Sequence, residues 1–274
     1  MNSDNPLIWL EISKSVLQRN LRVFRKLLDQ KTALAPVVKS NAYGHGLTEC
    51  GNIFREEGAD YLVVNSIFEA RKLRAAGDSG RIYIAGYIPF ESLLEAVELN
   101  CEIVIYNRET LEKLKTLELK TSAKVHLKTE TGTNRQGVLR DEILDFAEAI
   151  RAAKNVELAG VAMHFANIED THDHSFAEKQ LVEFNSICAE LLAAGFQNLK
   201  FHAANSAAAL LFPETHFDLA RVGIAAYGMW PSEETFLSLA AKRKEKIILI
   251  PALTWKTRVA QIKTIPTGSK IGYG

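Results

Sequence analysis

Short apolar runs recur along the chain, with helical patterns between them. Val16, Leu17, Leu21, Phe24, Leu27 and Leu28 fall at helical spacing behind Ser13, which stands where an N-cap belongs. Residues 34–38 then read as a buried strand. The same signal returns at 61–64, 82–85, 102–106, 123–128, 158–164, 199–203 and 217–221. Helical patterns separate these runs. One opens on a capping box, Ser66 with Glu69, and stops at Gly77. Others cover 92–98, 108–117, 142–153 and 174–194, the last closed by Gly195, and a short one starts near Asn205. Eight strand signals alternating with helices predict an α/β fold with parallel strands, and eight is the number that closes a (β/α)8 TIM-type barrel. A doubly wound open sheet is the rival; against it, the first βα loop lacks the G-x-G-x-x-G fingerprint.

The pattern divides the chain into 1–12, 13–240 and 241–274. The first holds a short strand at 9–12, and the second is the barrel. The third opens with the charged run Lys242-Arg243-Lys244-Glu245-Lys246, a solvated face or linker. A long strand over 253–265 follows, its apolar phase slipping near Ala260 as at a bulge. A turn at 266–269 and a strand from 270 complete a hairpin. A hairpin is too small to be an independent domain. The expectation is the beginning of a mostly-β C-terminal domain whose remainder lies outside this sequence.

Composition narrows the function classes. The chain has 274 residues, 47% of them hydrophobic, which suffices for a large core, and its formal net charge is zero. No basic stripe or acidic tail argues for nucleic acid or membrane as a partner. Cys50, Cys101 and Cys188 share no short spacing, so they suggest neither zinc nor a disulfide framework, and a reducing, cytoplasmic setting fits. Residues 1–6 are polar, unlike a signal peptide, and no apolar run reaches membrane-span length.

In such a barrel the site is built from loops at the C-terminal strand ends. Lys39, Arg135, His164, Asn205, Ser206 and Arg221 all fall there. A lysine at the mouth of a buried strand, partly desolvated, can attack an aldehyde; alternatively it snorkels to water. His164 reads equally as a core histidine, and Asn205 with Ser206 as a helix cap. A helix start also offers N–H groups to phosphate. Arg221, buried at a strand end, needs an acceptor. His202 and its neighbours have no metal-like spacing, and no metal is expected.

Lys39-Ser40-Asn41-Ala42-Tyr43-Gly44-His45-Gly46 resembles the pyridoxal 5'-phosphate (PLP) attachment signature of alanine racemases. Further words match in order: 128–137, 161–165, 202–208, 221–228 and 271–274, so the resemblance runs from Trp9 to Tyr273. Glu130 stands where the family usually has aspartate, and Thr133 where methionine is common. The resemblance implies a PLP enzyme, an isomerase interconverting L- and D-alanine for peptidoglycan, working as a cytoplasmic homodimer with shared sites. It implies that Lys39 holds PLP and serves one face of the substrate α-carbon. Tyr273 of the other subunit serves the opposite face. Arg221 would face the pyridine nitrogen as a hydrogen-bond donor but a poor proton source, and His164 would lie against the ring. Ser206, Asn205, Tyr43, Gly223 and Ile224 would hold the phosphate. Arg135 would contact the substrate carboxylate and the cofactor's phenolic oxygen, oriented by Lys128, a candidate for carbamylation. The alternatives are a non-catalytic PLP carrier or regulatory protein of the same barrel family, a racemase of another small amino acid such as serine, and a related decarboxylase. A further one is a chain that binds PLP without turnover, for want of contacts normally supplied beyond its last residue. The carriers are barrel-only, so the strand at 9–12 and the hairpin from Leu253 favour the enzyme.

Overall fold

In a computed structural model, residues 6–242 and 246–273 are described. The ends of the chain and the middle of the charged run, 243–245, lie outside these residues, so the reading of that run as a linker is not addressed. Ten strands lie among the described residues: β1 (Ile8–Ile12), β2 (Ala33–Pro36), β3 (Tyr61–Val64), β4 (Arg81–Ile84), β5 (Cys101–Ile105), β6 (Ala123–Lys128), β7 (Val156–Ala162), β8 (Lys200–His202), β9 (Leu219–Val222) and β10 (Leu253–Thr257). β3 to β8 pair in sequence order, all parallel, and β2 pairs β9 in parallel. Two seams close the ring. Val37 bridges to Val63, and Asp218 and Arg221 donate their amides to the carbonyls of Phe201 and Ala204 at 3.0 and 3.1 Å. The eight strand signals therefore form the expected (β/α)8 barrel.

Strand parity sorts the side chains. Val125 and Leu127 of β6 pack outward, in the large apolar layer between strands and helices. The other phase points inward, where Ala35, Tyr61, Val63, Tyr83, Val104 and Leu219 form a small separate core. Glu102, His126, His202 and Arg221 share that inward phase and are buried. The helix starts follow local chemistry. The side chain of Ser13 accepts the Val16 amide, and Ser66 with Glu69 forms a complete capping box. A helix over Glu233–Lys242, which the pattern did not indicate, begins with Ser232 Oγ accepting the Thr235 amide at 2.9 Å and crosses the expected boundary at 240.

Two expectations need correction. The strand over 253–265 ends at Thr257, because its ladder partner β1 offers only five residues. Residues 258–265 and the expected strand from 270 have no ladder, and 254–273 are exposed throughout; β-type residues without a partner do not make a strand. The loop expected after Lys39 is instead a helical turn, Lys39–Tyr43, wound left-handed: Ser40, Asn41, Ala42 and Tyr43 have φ of 52–54°.

Candidate active site

A cavity of about 700 Å³ opens at the C-terminal mouth of the barrel. Lys39, Tyr43, Lys128, Arg135, His164, Asn205, Ser206, Arg221, Gly223 and Ile224 all line it, although they come from five different strand ends and the loops that follow them. Tyr273 does not; it is fully exposed, outside the cavity.

Lys39 enters the cavity from the left-handed turn. Each non-glycine residue in that conformation costs roughly 1–2 kcal/mol, so four in a row need external ties. The Ala42 amide bonds the Val38 carbonyl at 2.8 Å, and Asn41 Oδ1 takes the Leu47 amide at 3.0 Å. The same turn carries Tyr43, whose hydroxyl reaches Gly223: a Cβ placed at Gly223 would stand 2.7 Å from it. Ser206 Oγ accepts the Gly223 amide at 2.9 Å. Hydroxyls and a backbone amide thus converge on a hollow that only glycine leaves open. Asn205 caps the helix that Ser206 begins, its Oδ1 accepting the Ala208 amide at 2.9 Å.

Arg221 is held by four bonds. Its Nη1 donates to His202 Nδ1 and to the His202 carbonyl, and its Nη2 to the carbonyls of Met163 (2.8 Å) and Ala203 (3.0 Å). Nε–H is the donor left for a ligand. Burial draws the guanidinium down to about 10, still protonated at neutral pH. His202 Nε2 lies 2.8 Å from His126 Nδ1, and His126 Nε2 lies 2.7 Å from Glu102. Burial keeps both imidazoles from charging, His202 well below the ordinary histidine value. Burial would raise Glu102, but His126 and Arg81, the latter 2.7 Å away, outweigh it and hold the carboxylate ionised. The tautomers follow from the partners: the carboxylate accepts from His126 Nε2–H, so His126 Nδ1 accepts from His202 Nε2–H. His202 Nδ1 is then free to accept from Arg221. A directed chain runs from the cavity down the barrel axis, and Gly160 makes room for it, since a Cβ there would meet His126 Nδ1 at 2.5 Å.

His164 is kept neutral by burial and by the nearby cations, first Lys128. Lys128 itself falls to about 7, through burial and then the charges of Arg221 and Arg135. Below that value the folded protein must hold an ammonium in the cavity wall. Between about 7 and the ordinary 10.5 the unfolded chain binds the extra proton, so stability rises with pH across that window. Lys128→Met is therefore expected to stabilise the cofactor-free protein by roughly 2 kcal/mol near pH 6, allowing for solvent in the cavity, and hardly at pH 10. Urea unfolding in CO2-free buffer at both pH values checks this. Glu130 turns away from the cavity, taking the Gly132 amide at 2.6 Å and the Thr133 hydroxyl at 3.0 Å.

Several cavity and support residues were not singled out from sequence. Tyr83 lines the cavity beside His126 and His202, with ring centroids 4.7 and 5.4 Å away, and Glu102 and His126 sit below. The available signal was a charged and an imidazole side chain inside runs otherwise apolar, which a strand buried on both faces does not accept without partners.

Fold and site together define a (β/α)8-barrel protein with an amine, an anion cradle and a tethered guanidinium at its mouth. The family model for the alanine racemase N-terminal domain matches residues 12–231. Alanine racemases of Carboxydothermus hydrogenoformans and Methanococcus maripaludis are 38% and 36% identical to the chain over 97% of its length, covering 70% of each relative. Among solved structures, the alanine racemase of a D-cycloserine-producing Streptomyces lavendulae superposes with a TM-score of 0.89 at 33% identity, covering 99% of this chain and 70% of that one. The Bacillus anthracis alanine racemase, solved with bound L-Ala-P, gives 0.87 at 31% identity over 97% and 68%. The chain belongs to the alanine racemase family.

Proposed function

We propose that the cavity holds PLP, with Lys39 Nζ as its attachment point, and that a two-base proton exchange there carries out the family's reaction. That reaction is an isomerisation, the interconversion of L- and D-alanine. The observation that carries the cofactor reading is the cradle at Gly223, where a side chain would collide with Tyr43. The hydroxyls of Ser206 and Tyr43 and the Ile224 amide suit a phosphate, with Asn205 in support; the Gly223 amide, which donates to Ser206 Oγ, would turn to the phosphate when it binds.

Bound there, PLP supplies an electron-withdrawing ring that acidifies the substrate's α-proton. The remaining work falls to this chain's side chains. Lys39 Nζ moves a proton on one face of the α-carbon, and Tyr273 Oη of a second copy does so on the other. Bases on opposite faces allow a proton to leave one side and return on the other. Arg221 would hold the pyridine nitrogen through Nε–H and would keep its own proton, which would make the ring a weaker electron sink. The neutral His164, which lines the same cavity, would flank the ring without adding charge. Arg135 receives the substrate carboxylate. Lys128, with a neutral amine available near pH 7, would add CO2 and release one proton to solvent, and the resulting carbamate would be favoured by the charges of Arg221 and Arg135. A homodimer in the cytoplasm, supplying D-alanine for peptidoglycan, completes the reading.

The test is the circular dichroism of L-alanine incubated with the PLP-loaded protein. The signal should decay to that of an equal mixture, and faster than for L-serine. A signal that persists overturns the assigned reaction for this chain, and a faster decay of serine overturns its substrate.

A further inference from the structure

We propose that Glu69 is the positioning residue for Lys39, clamping the left-handed turn to the second βα loop. Its Oε2 takes the Asn65 amide at 2.7 Å and the Ser66 amide at 3.2 Å, while Ser66 Oγ takes the Glu69 amide at 3.3 Å. Those bonds are a helix cap, and one carboxylate oxygen suffices for them. The other oxygen, Oε1, leaves its own helix and takes the Ser40 amide at 2.6 Å. Ser40 directly follows Lys39, so the bond pins the peptide plane between them. Fixing that plane fixes ψ of Lys39 and thereby the direction in which its side chain departs.

The strain of the turn makes the clamp necessary. Four consecutive non-glycine residues at φ of 52–54° unwind unless something holds them. The other ties of this turn come from within 38–47 or from the barrel backbone. Among the described residues, Glu69 is the one side chain from elsewhere that bonds the turn's backbone. It is only half-buried, yet an ionised acceptor shared by three amides forms stronger bonds than a neutral one. The consequence for PLP rests on Lys39 being its attachment point; the clamp itself does not.

Glu69→Ala, Glu69→Gln and Ser66→Ala separate positioning from capping. In the cofactor-free protein, amide exchange across 38–44 should accelerate about tenfold in Glu69→Ala, the effect of losing one charge-assisted bond, and less in Glu69→Gln, which keeps one acceptor oxygen. Ser66→Ala should lower the urea midpoint comparably, through the lost cap, and leave exchange across 38–44 as in the parent. In PLP titrations followed by visible absorbance, Glu69→Ala should bind about tenfold more weakly and Ser66→Ala like the parent. Unchanged exchange across 38–44 in Glu69→Ala, or equal acceleration in Ser66→Ala, overturns the proposal. A parent protein that develops no visible band overturns the PLP reading instead, while the exchange comparison still decides on the clamp.

Discussion

Lys39→Ala is expected to abolish the visible absorbance of the PLP-loaded protein and to reduce racemisation by a factor of about 10³ or more. The size follows from two duties resting on one amine, attachment and proton movement at one face of the α-carbon. Lys128 is the competing amine. It lines the same cavity and falls to about 7, so it offers a free amine near neutral pH. Geometry favours Lys39: Lys39 and Tyr43 share one turn, and Tyr43 stands at the cradle beside Gly223 and Ser206. A ligand with its phosphate in that cradle has the Lys39 turn against it. Absorbance spectra and turnover of Lys39→Ala, beside Lys128→Met as the comparison, separate the two amines.

Arg221→Leu is expected to cost roughly 3 kcal/mol of stability in the cofactor-free protein, the scale set by buried neutral acceptors left without a donor. The substitution strips donors from the carbonyls of Met163, His202 and Ala203, and leaves His202 Nδ1 facing leucine. The carbonyls of Met163 and Ala203 lose a buried donor, while the His202 carbonyl keeps the Met163 amide at 3.1 Å. Arg221→Lys keeps the charge but cannot reproduce the planar fork, so it should fall between the parent and leucine. Urea unfolding midpoints of the three proteins give the order. A leucine variant as stable as the parent would show that the four bonds contribute nothing net.

The barrel was legible in the sequence because its signals are local. Apolar runs at regular intervals, Ser66 with Glu69, and Gly195 at a helix end each report on their own neighbourhood. The gathering of Lys39, Arg135, His164, Ser206 and Arg221 followed from one rule about strand ends. What escaped is non-local or conformationally unusual. Ser40, Asn41, Ala42 and Tyr43 contain no glycine, and nothing in their composition announces a left-handed turn held partly from Glu69. The chain through Glu102, His126 and His202 joins strands 24 and 76 residues apart, pairings that periodicity does not encode. The strand over 253–265 was overextended for the opposite reason. Its residues suit a strand, but among the described residues the ladder ends at Thr257, with one further bond from the Arg258 amide to the Leu7 carbonyl.

Mapping the modified lysine decides whether Lys39 is the attachment point. The PLP-loaded protein is reduced with borohydride, digested, and its pyridoxyl-bearing peptide sequenced by mass spectrometry. The label is expected on Lys39 alone, with loss of the visible band. A label on Lys128, or none on any peptide lining the cavity, would contradict that assignment.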